Sequence, residues 1–305
     1  MNPPFPPLFL AGQTGSGKTA IALTLARLLA PVEVINADAF QIYRGLEILS
    51  AAPSAEELAA CPHHLFGELP VTAVCDAASF ARLAKEKIAD VSTRALPLVV
   101  GGSGLYLKAI THGLAPTPKG DPALRGELET LSLDTLVERY RAHDPEGAAQ
   151  TNLLNRRYVT RNLEICLLTG KPASQLKSEW AENAPEIRAV YLHRDREETY
   201  ARINRRTLTM LENGVLAEVA ALGELSTTAE KAIGLREIRA HLAGEMDLPT
   251  CIDTIRQMTR HYAKRQASWF KRETAFHRLE IPAEEEPATT AARIAAFYGP
   301  SPAAW

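Results

Sequence analysis

The stretch LFLAGQTGSGKTAIAL, residues 8 to 23, constrains this chain more than any other. It sets Gly12, Gly17, Lys18 and Thr19 in the spacing G-x-x-x-x-G-K-[ST], between an apolar run and the helix-prone AIALTLARLLA. A short buried strand followed by a helix is the setting in which this spacing works. Successive backbone N–H groups from Gly15 to Thr19 can turn toward one anion, the helix N-terminus adds partial positive charge, and Lys18 adds a full one. Thr19 offers a hydroxyl to Mg²⁺. A phosphate-binding loop is therefore expected, and the question it leaves is which phosphate it holds.

Three apolar runs predict parallel strands: LFLAG before the loop, VEVINAD after the first helix, and LPLVVGGSG after the helical AASFARLAKEKIADVS. Strands alternating with helices imply an α/β sheet with right-handed crossovers, whose site lies in the loops at the strands' carboxyl ends. From residue 116 the texture changes. The segment to residue 185 carries no strand signal and reads as short helices, with Asp121-Pro122 and Asp144-Pro145 as start signals and Gly170 as a stop. The chain returns to a strand at IRAVYLHRD, to a helix closed near Asn213-Gly214, and to a last long helix, PTCIDTIRQMTRHYAKRQASWFKRE. The expected architecture is a P-loop NTPase-like parallel sheet flanked by helices, residues 1–115 and 186–305, with an inserted all-helical domain at 116–185.

With 305 residues, 46% of them hydrophobic, the chain can bury a full core. A net charge of −2 announces no nucleic-acid partner by itself. The four cysteines, Cys61, Cys75, Cys166 and Cys251, are scattered without metal-ligand spacing and read as buried reduced thiols of a cytoplasmic protein. The opening MNPPFPPLFL lacks the features of a secretory signal, no segment approaches a membrane span, and the closing GPSPAAW reads as a frayed tail.

An ordinary P-loop ATPase or GTPase places a Mg²⁺-binding acid at the end of another apolar strand. Here LPLVVGGSG ends in glycines, and the acid at a strand end is Asp38, in VEVINADAFQIYRG. It is expected to face the phosphate loop from the neighbouring strand, where it can bind metal through water, act on a second substrate, or simply cap the following turn. The last helix spaces Arg256, Arg260 and Lys264 four apart, with Arg265, Lys271 and Arg272 nearby and Glu273 offsetting them; the insertion holds Arg156, Arg157 and Arg161. Two basic clusters suggest an extended polyanion.

These residues resemble a known family, the tRNA dimethylallyltransferases. The resemblance runs over nearly the whole chain: GQTGSGKT, NADAFQIYRGLEI, PHHLF, RALPLVVGGSGLYLKAI, DPALR, RNLEICLLTGKP, GVLAEV, KAIGLREI and TRHYAKRQASWF stand in the family's order. It implies transfer of a dimethylallyl group from dimethylallyl diphosphate to N6 of an adenosine beside the tRNA anticodon. It implies that Gly12, Thr14, Gly15, Ser16, Gly17, Lys18 and Thr19 hold diphosphate with Mg²⁺, and that Arg202 and Arg206 approach it. Asp38 becomes the catalytic base, and Ser103 takes the place of a family Thr against the adenosine. By the same match Asp38, Ala39, Phe40, Gln41, Arg125, Arg157, Arg161, Arg260, Lys264, Arg265, Gln266 and Trp269 contact tRNA. Phe40, Tyr43 and Trp269 are candidates for stacking or for lining a prenyl channel, with core packing the stronger expectation for Trp269. A monomer is expected, with no membrane partner.

The chain departs from the family pattern at Ser103, Ala52 (a Lys in the family), Gly67 and Asn155 (Asp), Tyr158 (Arg) and Leu235 (Tyr). Three rival readings stay open at this point: a prenyltransferase acting on free adenine nucleotide, a small-molecule P-loop kinase, and a non-catalytic RNA-binding protein that retains the loop.

Overall fold

The computed structural model describes residues 4–115, 117–181 and 186–298. The chain forms two compact units, Met1–Thr111 with Glu186–Trp305, and His112–Pro185. The texture change at residue 116 and the tail GPSPAAW lie outside the described residues.

In the first unit the strands are β1 (Leu8–Gly12), β2 (Val32–Asn36), β3 (Tyr43–Arg44), β4 (His63–His64), β5 (Leu69–Pro70), β6 (Leu96–Gly101), β7 (Arg188–Arg194) and β8 (His277–Ile281). Six of them make a parallel sheet in the order β4-β2-β6-β1-β7-β8, and β3 pairs with β5 separately. The central strands β1, β2 and β6 are buried along their whole length, as strands covered on both faces must be. One face carries a core built on Phe9, Ile35, Val99, Tyr191 and Phe270; the other carries Leu10, Val34, Leu98 and Leu192 against the helices Lys18–Leu28 and Pro287–Tyr298.

Strand β8 and the last helix are among the elements that escaped the sequence reading. Strand β8, HRLEI, is an edge strand whose His277, Arg278 and Glu280 are exposed, so it lacks the apolar run that marked the others. The helix Pro287–Tyr298 buries Thr290, Ala291, Ile294 and Tyr298, a stripe of largely small residues that reads weakly as amphipathic.

The strand order also corrects one expectation. Strand β2 does not neighbour β1; β6 lies between them, its Val99 paired with Phe9 on one side and Ile35 on the other.

The described part of the second unit is all helical: Pro122–Thr130, Leu133–His143, Pro145–Gln150, Arg156–Thr169 and Ala173–Ala181. Asp121 caps the first by accepting from the Ala123 and Leu124 N–H groups, Asp144 caps the third through the Gly147 N–H, and Gly170 closes the fourth at φ +66°. Leu128, Leu136, Tyr140, Val159, Leu163 and Ile165 form its own core. Asn155 caps the fourth helix by accepting from the Tyr158 N–H.

Candidate active site

The loop after β1 is shaped by its glycines. Gly15 and Gly17 take φ of +82° and +88°, a region that side chains disfavour, and a Cβ on Gly12 would stand 2.6 Å from Ser16 Oγ. Gly17 caps the helix Lys18–Leu28 with no side chain of its own, so the helix's first N–H groups are left to a ligand.

The loop's carbonyls, by contrast, are occupied. Lys18 Nζ donates to Gly12 O at 2.7 Å and to Gln13 O at 3.1 Å; Arg202 Nε donates to Gly15 O at 2.7 Å; Arg194 Nε donates to Ser16 O at 2.9 Å. Gln13, buried, donates to Thr199 Oγ1 and accepts from the Tyr191 hydroxyl. Gln266 finishes the frame: its Oε1 accepts the Thr14 N–H at 2.8 Å while its Nε2 donates to Gly102 O at 2.8 Å. Gln266 is 5% exposed; its amide holds the phosphate loop to the end of β6, and the residue also lines the cavity described below.

Asp38 follows β2. Its N–H bonds Asn36 Oδ1 at 2.7 Å, and its Oδ1 accepts the Phe40 N–H at 3.0 Å, so the turn-capping alternative is real for one oxygen. Among the described residues Oδ2 accepts no hydrogen bond. Asp38 nonetheless opens into the same cavity as the phosphate loop, across the width of β6.

The glycines that end β6 permit this approach. A Cβ at Gly101 would fall 2.2 Å from Ala37 O, and one at Gly102 would fall 2.7 Å from Gly12 O and 2.5 Å from Gln266 Nε2. Where an ATPase has its acid, this chain needs no side chain at all.

The cavity, about 630 Å³, is lined by Thr14, Gly15, Gly17, Lys18 and Thr19 of the loop, by Asp38, Phe40 and Gln41, and by Arg202, Arg205 and Arg206. Ile255, Thr259, Tyr262 and Gln266 of the helix Leu248–Phe270 also line it. Its volume suits a small-molecule site.

Burial pulls the Lys18 ammonium down to about 8, with the Asp38 carboxylate opposing that fall and Arg206 adding to it. Burial likewise lowers Arg206, again against Asp38, and Arg206 has no ion-pair partner among the described residues. Lys18 and Arg206, desolvated and with no ion pair among the described residues, make a site shaped for an anion. Burial pushes the Tyr262 phenol well up, with Asp38 reinforcing the shift and Ser103 and Gln266 offsetting it. Ser103 thus stands beside Tyr262; it is not among the described residues lining the cavity.

The remaining expected residues divide. Ala39 sits half-buried in the turn between Asp38 and Phe40, Arg157, Lys264 and Arg265 are exposed, and Arg260 donates to Asn204 Oδ1 at 2.6 Å. Arg256 pairs with Asp253, and Glu273 pairs with Lys108 rather than with the helix it was expected to offset. Arg125 and Arg161 both bond the buried Glu164, and Arg156 donates to the Leu128, Glu129 and Leu131 carbonyls; these three hold the second unit together. Tyr43 is buried with its hydroxyl on Thr228 Oγ1, so it packs and does not stack. Trp269 packs on the core, its ring filling the space a Cβ on Gly104 would need.

Ala52 lines the cavity, Leu235 is core, and Gly67 adopts φ +59°. Cys75, Cys166 and Cys251 are buried free thiols, whereas Cys61 is partly exposed. Arg194 and Tyr262 were missed by the sequence reading. Arg194 ends strand β7 and is 3% exposed, and a basic residue closing an apolar strand that faces a phosphate loop was the available signal.

Residues 41–273 match the profile of the IPP transferase family. That match begins beyond the phosphate loop and Asp38, which rest on their own geometry and on full-length relatives. A tRNA dimethylallyltransferase of Akkermansia muciniphila is 42% identical over 288 residues, 94% of this chain and 97% of that protein. The crystal structure of a tRNA isopentenylpyrophosphate transferase from Bacillus halodurans superposes with a TM-score of 0.70 at 31% identity, covering 96% of this chain and 95% of the other. A eukaryotic dimethylallyltransferase solved in snapshots acting on tRNA shares the fold, with a TM-score of 0.75 at 23% identity over 98% of this chain and 86% of that one.

Proposed function

The chain belongs to the IPP transferase family, and from that premise we infer that it is a tRNA dimethylallyltransferase. It moves the dimethylallyl group of dimethylallyl diphosphate onto N6 of the adenosine beside the anticodon and releases diphosphate. The observation that carries this reading is that the phosphate loop and Asp38 line one cavity although their strands are separated by β6.

The N6 lone pair is delocalised into the adenine ring and attacks poorly, so both ends of the reaction need help. As N6 bonds to C1 of the prenyl group, the C1–O bond breaks and its electron pair leaves with diphosphate. The N6 proton, made acidic by the new bond, passes to Asp38. Negative charge grows on the departing diphosphate, where loop N–H groups, Lys18, Arg202 and Arg206 stabilise the transition state more than the ground state. Lys18 exchanges its bonds to Gly12 O and Gln13 O for diphosphate oxygens. Thr19, at the cavity wall beside Lys18, suits Mg²⁺, which needs few protein ligands because it keeps water and phosphate oxygens. When bound, Mg²⁺ neutralises part of the leaving group's charge.

The target base must leave its stack, at a cost of a few kcal/mol that is smallest in an unpaired loop. RNA phosphates are met by the exposed Lys264 and Arg265, and by Arg157 in the helical unit. The same reading has the enzyme working as a cytoplasmic monomer; no helix among the described residues is long and apolar enough to cross a membrane.

Offering dimethylallyl diphosphate with an anticodon stem-loop or with AMP, and labelled ATP with candidate acceptors, tests the reading. Nucleoside mass spectrometry is expected to find prenylated adenosine in the RNA. Faster prenylation of AMP, or phosphate transfer from ATP, would overturn it.

A further inference from the structure

Glu218, in the stretch GVLAEV, has no part in the chemistry above and does not line the cavity among the described residues. Its carboxylate is nonetheless fully engaged. Oε2 accepts the Ile48 N–H at 2.7 Å and Oε1 accepts the Leu49 N–H at 2.8 Å. These belong to the short helix Glu47–Ser50, whose leading residue Leu46 supplies no side-chain cap, and first-turn N–H groups have no partner inside their own helix.

What Glu218 holds is a wall of the cavity. Leu49, Ser50, Ala51, Ala52 and Pro53 line it next to Gln41, three residues beyond Asp38. Gln41 Nε2 grips the Ser50 and Ala51 carbonyls at 3.3 and 2.9 Å, which ties the wall to the turn carrying the base. Ala51 takes φ +51°, a left-handed conformation that a residue with a Cβ keeps only when its surroundings impose it. The gripping bonds of Gln41 are local in sequence, whereas the Glu218 bonds span 170 and 169 residues. Glu218 follows the helix Arg196–Glu212, which brings Arg202 and Arg206 to the diphosphate end, so one continuous stretch of chain fixes both ends of the cavity.

We propose that Glu218 is a positioning residue for the RNA acceptor: through the Ile48 and Leu49 N–H groups it fixes the cavity wall beside Asp38, and it leaves diphosphate binding alone. This rests on the functional reading above. A Gln in its place keeps one acceptor oxygen and turns the other position into a donor, so one of the two backbone bonds is lost, which corresponds to about a tenfold effect.

The test is Glu218→Gln, with Glu218→Asp as a milder variant that keeps both acceptor oxygens. In Glu218→Gln, hydrogen exchange at Ile48 and Leu49 is expected to quicken about tenfold while the phosphate-loop amides stay unchanged. KM for an anticodon stem-loop should rise about tenfold, and KM for dimethylallyl diphosphate should stay within about twofold. Glu218→Asp should recover part of the RNA KM. Unchanged exchange at Ile48 and Leu49, or both KM values rising together, overturns the proposal. A wild-type protein that prenylates no RNA defeats the functional reading and the acceptor role with it, whereas unchanged exchange at Ile48 and Leu49 in a protein that does prenylate RNA defeats the proposal alone.

Discussion

The two units use their cations in opposite ways. In the helical unit Arg125 and Arg161 converge on Glu164, which is fully buried, and the pair of guanidinium groups holds its carboxyl below the usual range against the cost of burial. In the sheet unit Lys18 and Arg206 are desolvated with Asp38 as the shared acid that opposes the loss, and both have their charged forms made costly. The first arrangement satisfies itself. The second stores a demand for an anion. A count of lysines and arginines cannot distinguish the two.

The contrast can be broken most forcefully at the cavity. Lys18→Ala is expected to lower kcat/KM by about 10²–10³ or more, the scale for losing one donor to developing charge, and steady-state prenyl transfer measures it. Its effect on stability should run the other way. Because the folded value of Lys18 lies below its unfolded one, the folded state binds fewer protons above about pH 8, and stability attributable to this group rises from there toward the unfolded value. At pH 7 the charge is a burden, so Lys18→Met should melt higher than wild type when no anion is present.

In the helical unit the sign is reversed. Replacing Arg125 and Arg161 together with Ala leaves Glu164 buried and unpaired and should cost about 3–5 kcal/mol, read from denaturant unfolding. Glu164's lowered value means that its contribution is present above the unfolded carboxylate value and fades as pH falls through the folded one. A double variant that unfolds like wild type but binds RNA poorly would show that these arginines face RNA after all.

Smaller effects separate residues within the basic helix. Lys264→Ala, an exposed position, should weaken stem-loop binding and reduce the salt slope by about one. Arg260→Ala should do less, because its guanidinium already bonds Asn204. The smallest effect is expected from pH: diphosphate affinity should decline as pH passes about 8 in wild type, and the inflection should vanish in Lys18→Met.

Much of the fold was legible because burial on both faces writes a continuous apolar run, as in β1, β2 and β6, and because Asp-Pro and Gly mark helix ends chemically. What was hidden depends on pairing. Strand β8 is an edge, polar by composition, and β4 is two residues long. The order of strands cannot be read from their patterns, so β6 between β1 and β2 came as a correction. That correction explains the glycines of LPLVVGG. They stand where an ATPase has its acid, and they are the gap through which the loop and Asp38 meet. In the site, the phosphate loop announces itself through spacing that only backbone donors require. Gln266 did not, since a buried amide and an exposed one are the same letter. Arg194 and Tyr262 depend in the same way on which side chains the sheet and the long helix bring together.

The central claim is that Asp38 and the phosphate loop serve one reacting pair within one cavity. Single-turnover transfer by Asp38→Ala, with both substrate affinities measured, tests it most directly. The expected result is a chemical step slowed by about 10²–10⁴ with both dissociation constants within about twofold of wild type. An unchanged rate, or RNA affinity falling in step with the rate, would contradict the account.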